Sequence, residues 1–151
     1  MNAALARFRE TWLARLNEGA ETLLFHEANP VEGGLHTRIA DDFVASHGYK
    51  PIGFNWELLD AAPGATGKRA APSQLAEAFA GRIENPRQEW LSRPDAEACA
   101  EAFLALFDEP PLTLVSNRYD GLWNPISSAH DQWAFVGFDR GATALLLITA
   151  P

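Results

Sequence analysis

The chain has 151 residues, of which 47% are hydrophobic and 21% are charged, and this composition excludes a disordered or collagen-like chain. It carries 12 basic and 20 acidic residues, a net charge of -8, which argues against nucleic-acid binding because that function needs basic groups to neutralise phosphates. The length predicts a single domain over residues 1–151, and because no apolar run is long enough for a membrane span or a signal peptide, we expect a cytoplasmic protein with no membrane partner.

The first predicted element is a helix over residues 3–17. Apolar residues recur there at spacings of three and four and form one stripe, which consists of Leu5, Phe8, Trp12 and Leu16. Residues 21–27 favour a short strand, because turn-forming residues flank them on both sides. Residues 30–36 contain two adjacent glycines and are predicted to form a loop.

A second helix is predicted after this loop. Thr37 has the side chain of an N-cap, and Gly48 is a natural residue to follow the C-terminus of the helix. Alternating apolar residues then predict a strand over 51–59. Residues 60–72 are rich in proline, glycine and alanine, so we expect a flexible surface loop rather than a domain boundary.

Two more helices are predicted between residues 73 and 109. Ser73 is expected to cap the first of them, whose apolar side carries Leu75, Phe79 and Ile83. Ser92 is expected to cap the second, because Asp95 stands three residues later as in a capping box. Both helices therefore present one apolar face to a core.

The remainder of the chain is predicted to be β structure. A strand is expected at 112–116, and strands at 132–138 and 143–149 flank a turn in which Gly141 would take a positive φ. Residues 144–148 are apolar at every position, which is typical of a strand buried on both faces. The predicted fold class is therefore α+β, a mainly antiparallel sheet with three to four helices packed on it and a C-terminal β-hairpin whose last strand is central.

We expect neither a cofactor nor a metal site. The four histidines and their neighbouring acids lack the spacing of ligand motifs. Residues 64–69 lack the first glycine and the hydroxyl of a phosphate-binding loop. Cys99, the only cysteine, lies on the apolar stripe of a predicted helix and is interpreted as a small buried hydrophobe rather than a nucleophile.

The segment 117–125, NRYDGLWNP, is the most informative for function. Its Asp-Gly pair is a strong signal for a hairpin turn, and the turn could serve the sheet alone, with the tryptophan packed on the core. The alternative is recognition, because aromatic residues and arginine are enriched at binding hot spots and a tight turn would hold them rigidly. The candidate partner-binding residues are Arg118, Tyr119, Asp120, Trp123 and Asn124.

No motif assigns the chain to a family. Its general character, a small, acidic, tryptophan-rich chain without a catalytic signature, resembles that of bacterial immunity proteins, which neutralise a cognate toxin. The resemblance implies a protein-binding inhibitor whose partner has a basic surface, since opposite charge speeds the encounter. Two alternatives stay open. One is a small hydrolase or ligand-binding domain with a site near Arg118, Asp120 and His130, and the other is a domain that associates with itself.

Overall fold

A computed structural model describes residues 3–18, 20–29 and 34–150. The helices in this part of the chain are α1 (residues 3–16), α2 (His36–Ser46), α3 (Ala71–Ala80) and α4 (Arg93–Leu104), and α1 contains a π-helical segment at Phe8–Leu13. The strands are β1 (Glu21–Ala28), β2 (Glu57–Leu58), β3 (Thr113–Ser116), β4 (Arg118–Tyr119), β5 (Leu122–Trp123), β6 (Gln132–Phe138) and β7 (Ala142–Thr149). Of the loop predicted over 30–36, residues 30–33 lie outside the described residues.

Five strands form one antiparallel sheet in the order β1-β7-β6-β3-β2. The last strand therefore lies inside the sheet, where Leu145 is paired with Phe25 of β1 on one side and with Val136 of β6 on the other. This arrangement confirms the predicted α+β class and the central position of β7. The remaining two strands, β4 and β5, form a separate antiparallel hairpin.

Helices cover both faces of the sheet, and the alternation of side chains along each strand explains how. Leu146 of β7 belongs to the larger hydrophobic cluster, which includes residues of α1, α3 and α4. Its neighbours Leu145 and Leu147 belong to a second cluster, which α2 closes with Ala40 and Val44. Because β7 is buried on both faces, its apolar run needs no polar side, as predicted.

The strand predicted over 51–59 is wrong for most of its length. Residues Gly53–Asn55 form a single 3-10 turn, and only Glu57–Leu58 pair with the sheet. The carboxylate of Asp41 accepts hydrogen bonds from the backbone N–H groups of Ile52 and Gly53 and from the indole of Trp56. These bonds satisfy backbone groups that a strand would otherwise pair, so the segment folds against α2 instead.

The predicted helix boundaries are confirmed in part. Ser92 caps α4, with its Oγ accepting from the Asp95 N–H at 3.3 Å. Thr37 and Ser73 do not cap their helices, because α2 begins after Leu35 and α3 after Ala70. Gly48 follows α2 with a φ of 89°, as predicted. Ile83 is buried but lies beyond the end of α3.

The turn between β6 and β7 is stabilised by a different interaction from the one predicted. Gly141 does not take a positive φ. Instead the buried carboxylate of Asp139 accepts hydrogen bonds from the N–H groups of Gly141 and Ala142, at 2.8 and 2.9 Å, and from that of Glu109 at 2.8 Å. The Asp139 side chain thus stabilises a turn that was expected to depend on a positive φ at Gly141.

None of the helices in the described ranges is both long and apolar enough to cross a membrane.

Candidate functional site

The segment singled out in the sequence forms a tight hairpin. Arg118 pairs with Trp123 and Tyr119 with Leu122, and the two turn residues between them both have positive φ, 55° for Asp120 and 81° for Gly121. This is a type I′ turn, whose twist matches that of the flanking strands. The predicted hairpin is therefore confirmed.

Arg118 lies beneath the hairpin rather than on its outer surface. Its side chain is sandwiched between two indoles, with the guanidinium carbon 4.9 Å from the ring centre of Trp123 and 4.9 Å from that of Trp133. The residue is 9% exposed, and burial lowers the pKa of its guanidinium. The contact with Trp133 joins the hairpin to β6, and the contact with Trp123 connects the two strands of the hairpin.

Two buried polar residues fix the base of the hairpin to the sheet. The Oγ of Ser116 accepts a hydrogen bond from the Trp133 indole at 2.8 Å and donates to the Arg118 carbonyl at 2.8 Å. The Oδ1 of Asn117 accepts from the Ala134 N–H at 2.7 Å, while its amide donates to the Asn124 carbonyl at 3.0 Å. Sequence reasoning missed both roles, because each side chain also accepts a hydrogen bond from β6, Ser116 from the Trp133 indole and Asn117 from the Ala134 N–H.

The loop predicted over 60–72 ends at Ala70, because α3 begins at Ala71, and its residues Lys68 and Arg69 contact the outer side of the hairpin. Lys68 forms an ion pair with Asp120, and their hydrogen bond raises the pKa of the lysine and lowers the pKa of the carboxyl. The guanidinium carbon of Arg69 lies 4.3 Å from the ring centre of Tyr119, and its Nη1 donates to Glu57 at 3.3 Å. The hairpin is thus held from both sides.

The five predicted residues lie together but have different surroundings. Tyr119, Trp123 and Asn124 are half-buried, Asp120 is exposed and Arg118 is buried. Leu122, which the sequence did not single out, is 79% exposed at the tip. The sequence does not predict this exposure, because nothing in the segment distinguishes the apolar residues that pack inward from those that face solvent.

The structure does not bring the three residues of the predicted acid/base site, Arg118, Asp120 and His130, into one pocket. His130 is exposed and lies on the Trp123 side, with ring centres 6.4 Å apart. Asp120 is bound to Lys68 instead, and between residues 34 and 150 we find no hydrogen bond or ion pair that connects it to His130. Arg118 and Asp120 do line one pocket, whereas His130 does not.

The histidines, the acidic residues and the cysteine are the remaining candidates for metal binding or nucleophilic chemistry. Within the described ranges, no group of three histidine, cysteine or acidic residues could hold a metal ion. His47 instead lies 2.8 Å from the carboxylate of Glu27. Cys99 is completely buried, and burial strongly raises the pKa of its thiol, so its interpretation as a buried hydrophobe is confirmed.

Comparison of the chain with protein-family models, curated proteins and solved structures gave no match.

Replacing Trp123 by alanine should loosen the hairpin without unfolding the protein. The change removes one of the two rings that hold Arg118, and a partly buried cation–π contact is worth about 1–2 kcal/mol. We expect a fall of that size in the free energy of unfolding, measured by urea denaturation. A loss of the whole cooperative transition would show instead that Trp123 belongs to the core.

Proposed function

We propose that this protein is a protein-binding module of the inhibitor or immunity type, and that it binds its partner protein through the outer surface of the hairpin. This surface consists of Tyr119, Asp120, Leu122 and Trp123. The observation that carries the proposal is Leu122, a large apolar side chain that is 79% exposed at the tip of a doubly anchored turn. Leu122 is flanked in the hairpin by Tyr119 and Trp123, and these two residue types are enriched at interface hot spots.

Rigidity favours binding because little conformational entropy remains to be lost. The I′ turn, the indole sandwich around Arg118 and the ion pair between Lys68 and Asp120 all act on the same six-residue hairpin, 118–123. Arg118 and Asn124 then act as positioning residues, since one is buried and the other closes the base through backbone bonds to Asn117. Contact with the partner falls to the exposed members of the surface.

The partner that we propose is a protein with a basic surface. The net charge of -8 would steer such a partner towards the molecule and raise the association rate. The same charge opposes nucleic acid and anionic membranes as partners. The immunity-type role itself comes from the resemblance in general character, and self-association is the outcome that would compete with it.

A pair of exposed apolar residues gives the experiment a matched control. Leu122→Asp should weaken binding of the partner at least tenfold, which corresponds to about 1.4 kcal/mol, because it places a charge in the centre of the contact. Phe54→Asp makes the same kind of change at a side chain that is 87% exposed on the 3-10 turn, and it should bind as the wild type does.

The partner is obtained by co-purification with the wild-type chain from its native source, and both variants are then measured against the purified partner by biolayer interferometry. Equal affinity of all three chains would contradict the proposal. Sedimentation that shows the wild type bound only to further copies of itself would replace the proposal with self-association.

A further inference from the structure

A pocket of about 490 Å³ lies beside the hairpin, between the C-terminal half of α3 and residues 81–91. Four arginines line it, Arg82, Arg87, Arg93 and Arg118, against three carboxylates. One of those carboxylates, Asp120, is already paired with Lys68. The pocket therefore carries an excess of positive charge in a chain whose total charge is negative.

Two buried polar side chains in the pocket wall have groups without a partner. The Nη1 of Arg118 and the Oε1 of Gln74 make no hydrogen bond within the described part of the chain. The two residues are 9% and 2% exposed, so bulk water does not compensate them freely. Buried polar groups without partners cost free energy, so each of them calls for an explanation, and a bound ligand is one.

The two open groups have opposite hydrogen-bonding character. The guanidinium of Arg118 donates, and its planar fork matches a carboxylate. Gln74 is held by a bond of 2.8 Å from its Nε2 to the Lys68 carbonyl, so its Oε1 remains to accept a hydrogen bond. A ligand that satisfies both must offer a carboxylate and, close to it, an N–H or O–H donor.

We propose that this pocket binds a free amino acid, whose carboxylate accepts from Arg118 and whose ammonium group donates to Gln74. Glu77 lines the same pocket and supplies a negative charge for the ammonium. A phosphate fits less well, because it brings no ammonium group for Gln74 and Glu77. The site needs no partner protein, and it shares Asp120 with the outer surface of the hairpin.

The test is thermal denaturation of the full chain against L-alanine, L-glutamate, acetate and inorganic phosphate. A ligand that binds only the folded state raises the melting temperature in a saturable manner. We expect a saturable rise with at least one of the two amino acids, and a smaller rise or none with acetate and phosphate. Absence of a rise with both amino acids, or a larger rise with phosphate, would overturn the proposal.

Two substitutions connect that rise to the pocket. Arg118→Met should abolish it, and without ligand this variant should melt below the wild type, because the change also removes both cation–π contacts with Trp123 and Trp133. Arg140→Met removes the same charge from an exposed residue outside the pocket and should keep the rise. If Arg118→Met does not fold, Arg118→Lys, which retains the charge but not the fork, should bind the amino acid at least tenfold more weakly. Wild-type affinity in either Arg118 variant would overturn the proposal.

Discussion

Leu146→Asp should abolish stable folding. Leu146 is 0% exposed and lies in the middle of β7, between β1 and β6. The substitution removes a buried apolar side chain and places an unpaired carboxylate in the larger core cluster, where burial of a charge is most costly. We expect a loss of more than about 4 kcal/mol, a large part of the 5–15 kcal/mol that stabilises a typical domain.

The measurement is urea denaturation followed by circular dichroism. Leu122→Asp is the matched control, because it makes the same chemical change at a position that is 79% exposed. That variant should stay within about 0.5 kcal/mol of the wild type. Equal stability of the two variants would mean that β7 is not the buried centre of the sheet.

Gln132→Leu should also destabilise the protein strongly, by about 3 kcal/mol. The Gln132 side chain is 0% exposed. Its Oε1 accepts from the N–H groups of Ile126 and Ser127, at 2.7 and 3.3 Å, and its Nε2 donates to the Ser127 and Ala129 carbonyls, at 3.2 and 2.7 Å. Leucine fills a similar volume but leaves these backbone groups without partners.

Hydrogen exchange provides the more specific readout for this variant. The amides of Ile126 and Ser127 should exchange faster in Gln132→Leu, because their acceptor has been removed, while amides in the middle of β7 change only with the global stability. Gln88→Leu, at an exposed position, serves as the control and should leave both measurements near the wild-type values. Unchanged protection at Ile126 would show that the loop does not depend on Gln132.

The parts of the fold that the sequence predicts well are those set by local periodicity. The continuous apolar run of β7 and the Ser92 cap of α4 depend on neighbouring residues only, and both are confirmed. The alternation over 51–59 predicts a strand of which only Glu57–Leu58 forms, because the Asp41 carboxylate, on a different element, accepts hydrogen bonds from the backbone N–H groups of Ile52 and Gly53. A pattern within the segment contains no information about that carboxylate.

The candidate site shows the same limit. The turn at Asp120-Gly121 follows from two residues, so the sequence predicts it correctly. The depth of Arg118 depends on Trp133, and the availability of its Nη1 depends on which groups of α3 and the 81–91 segment approach it. Both depend on tertiary packing. The sequence therefore predicts Arg118 as a surface residue that contacts a partner, whereas the structure buries it.

The pairing of β1 with β7 affects the rate at which the chain folds. Glu21 pairs with Thr149. Of the strand pairs described in the structure, β1 and β7 are therefore separated by the longest stretch of chain. Non-local pairing of this kind slows folding, because the entropy of closing the loop is lost before the contact forms. During synthesis, β1 leaves the ribosome long before β7, and until β7 follows, its apolar side chains can pack only on α1, through Leu24, and on α2, through Phe25.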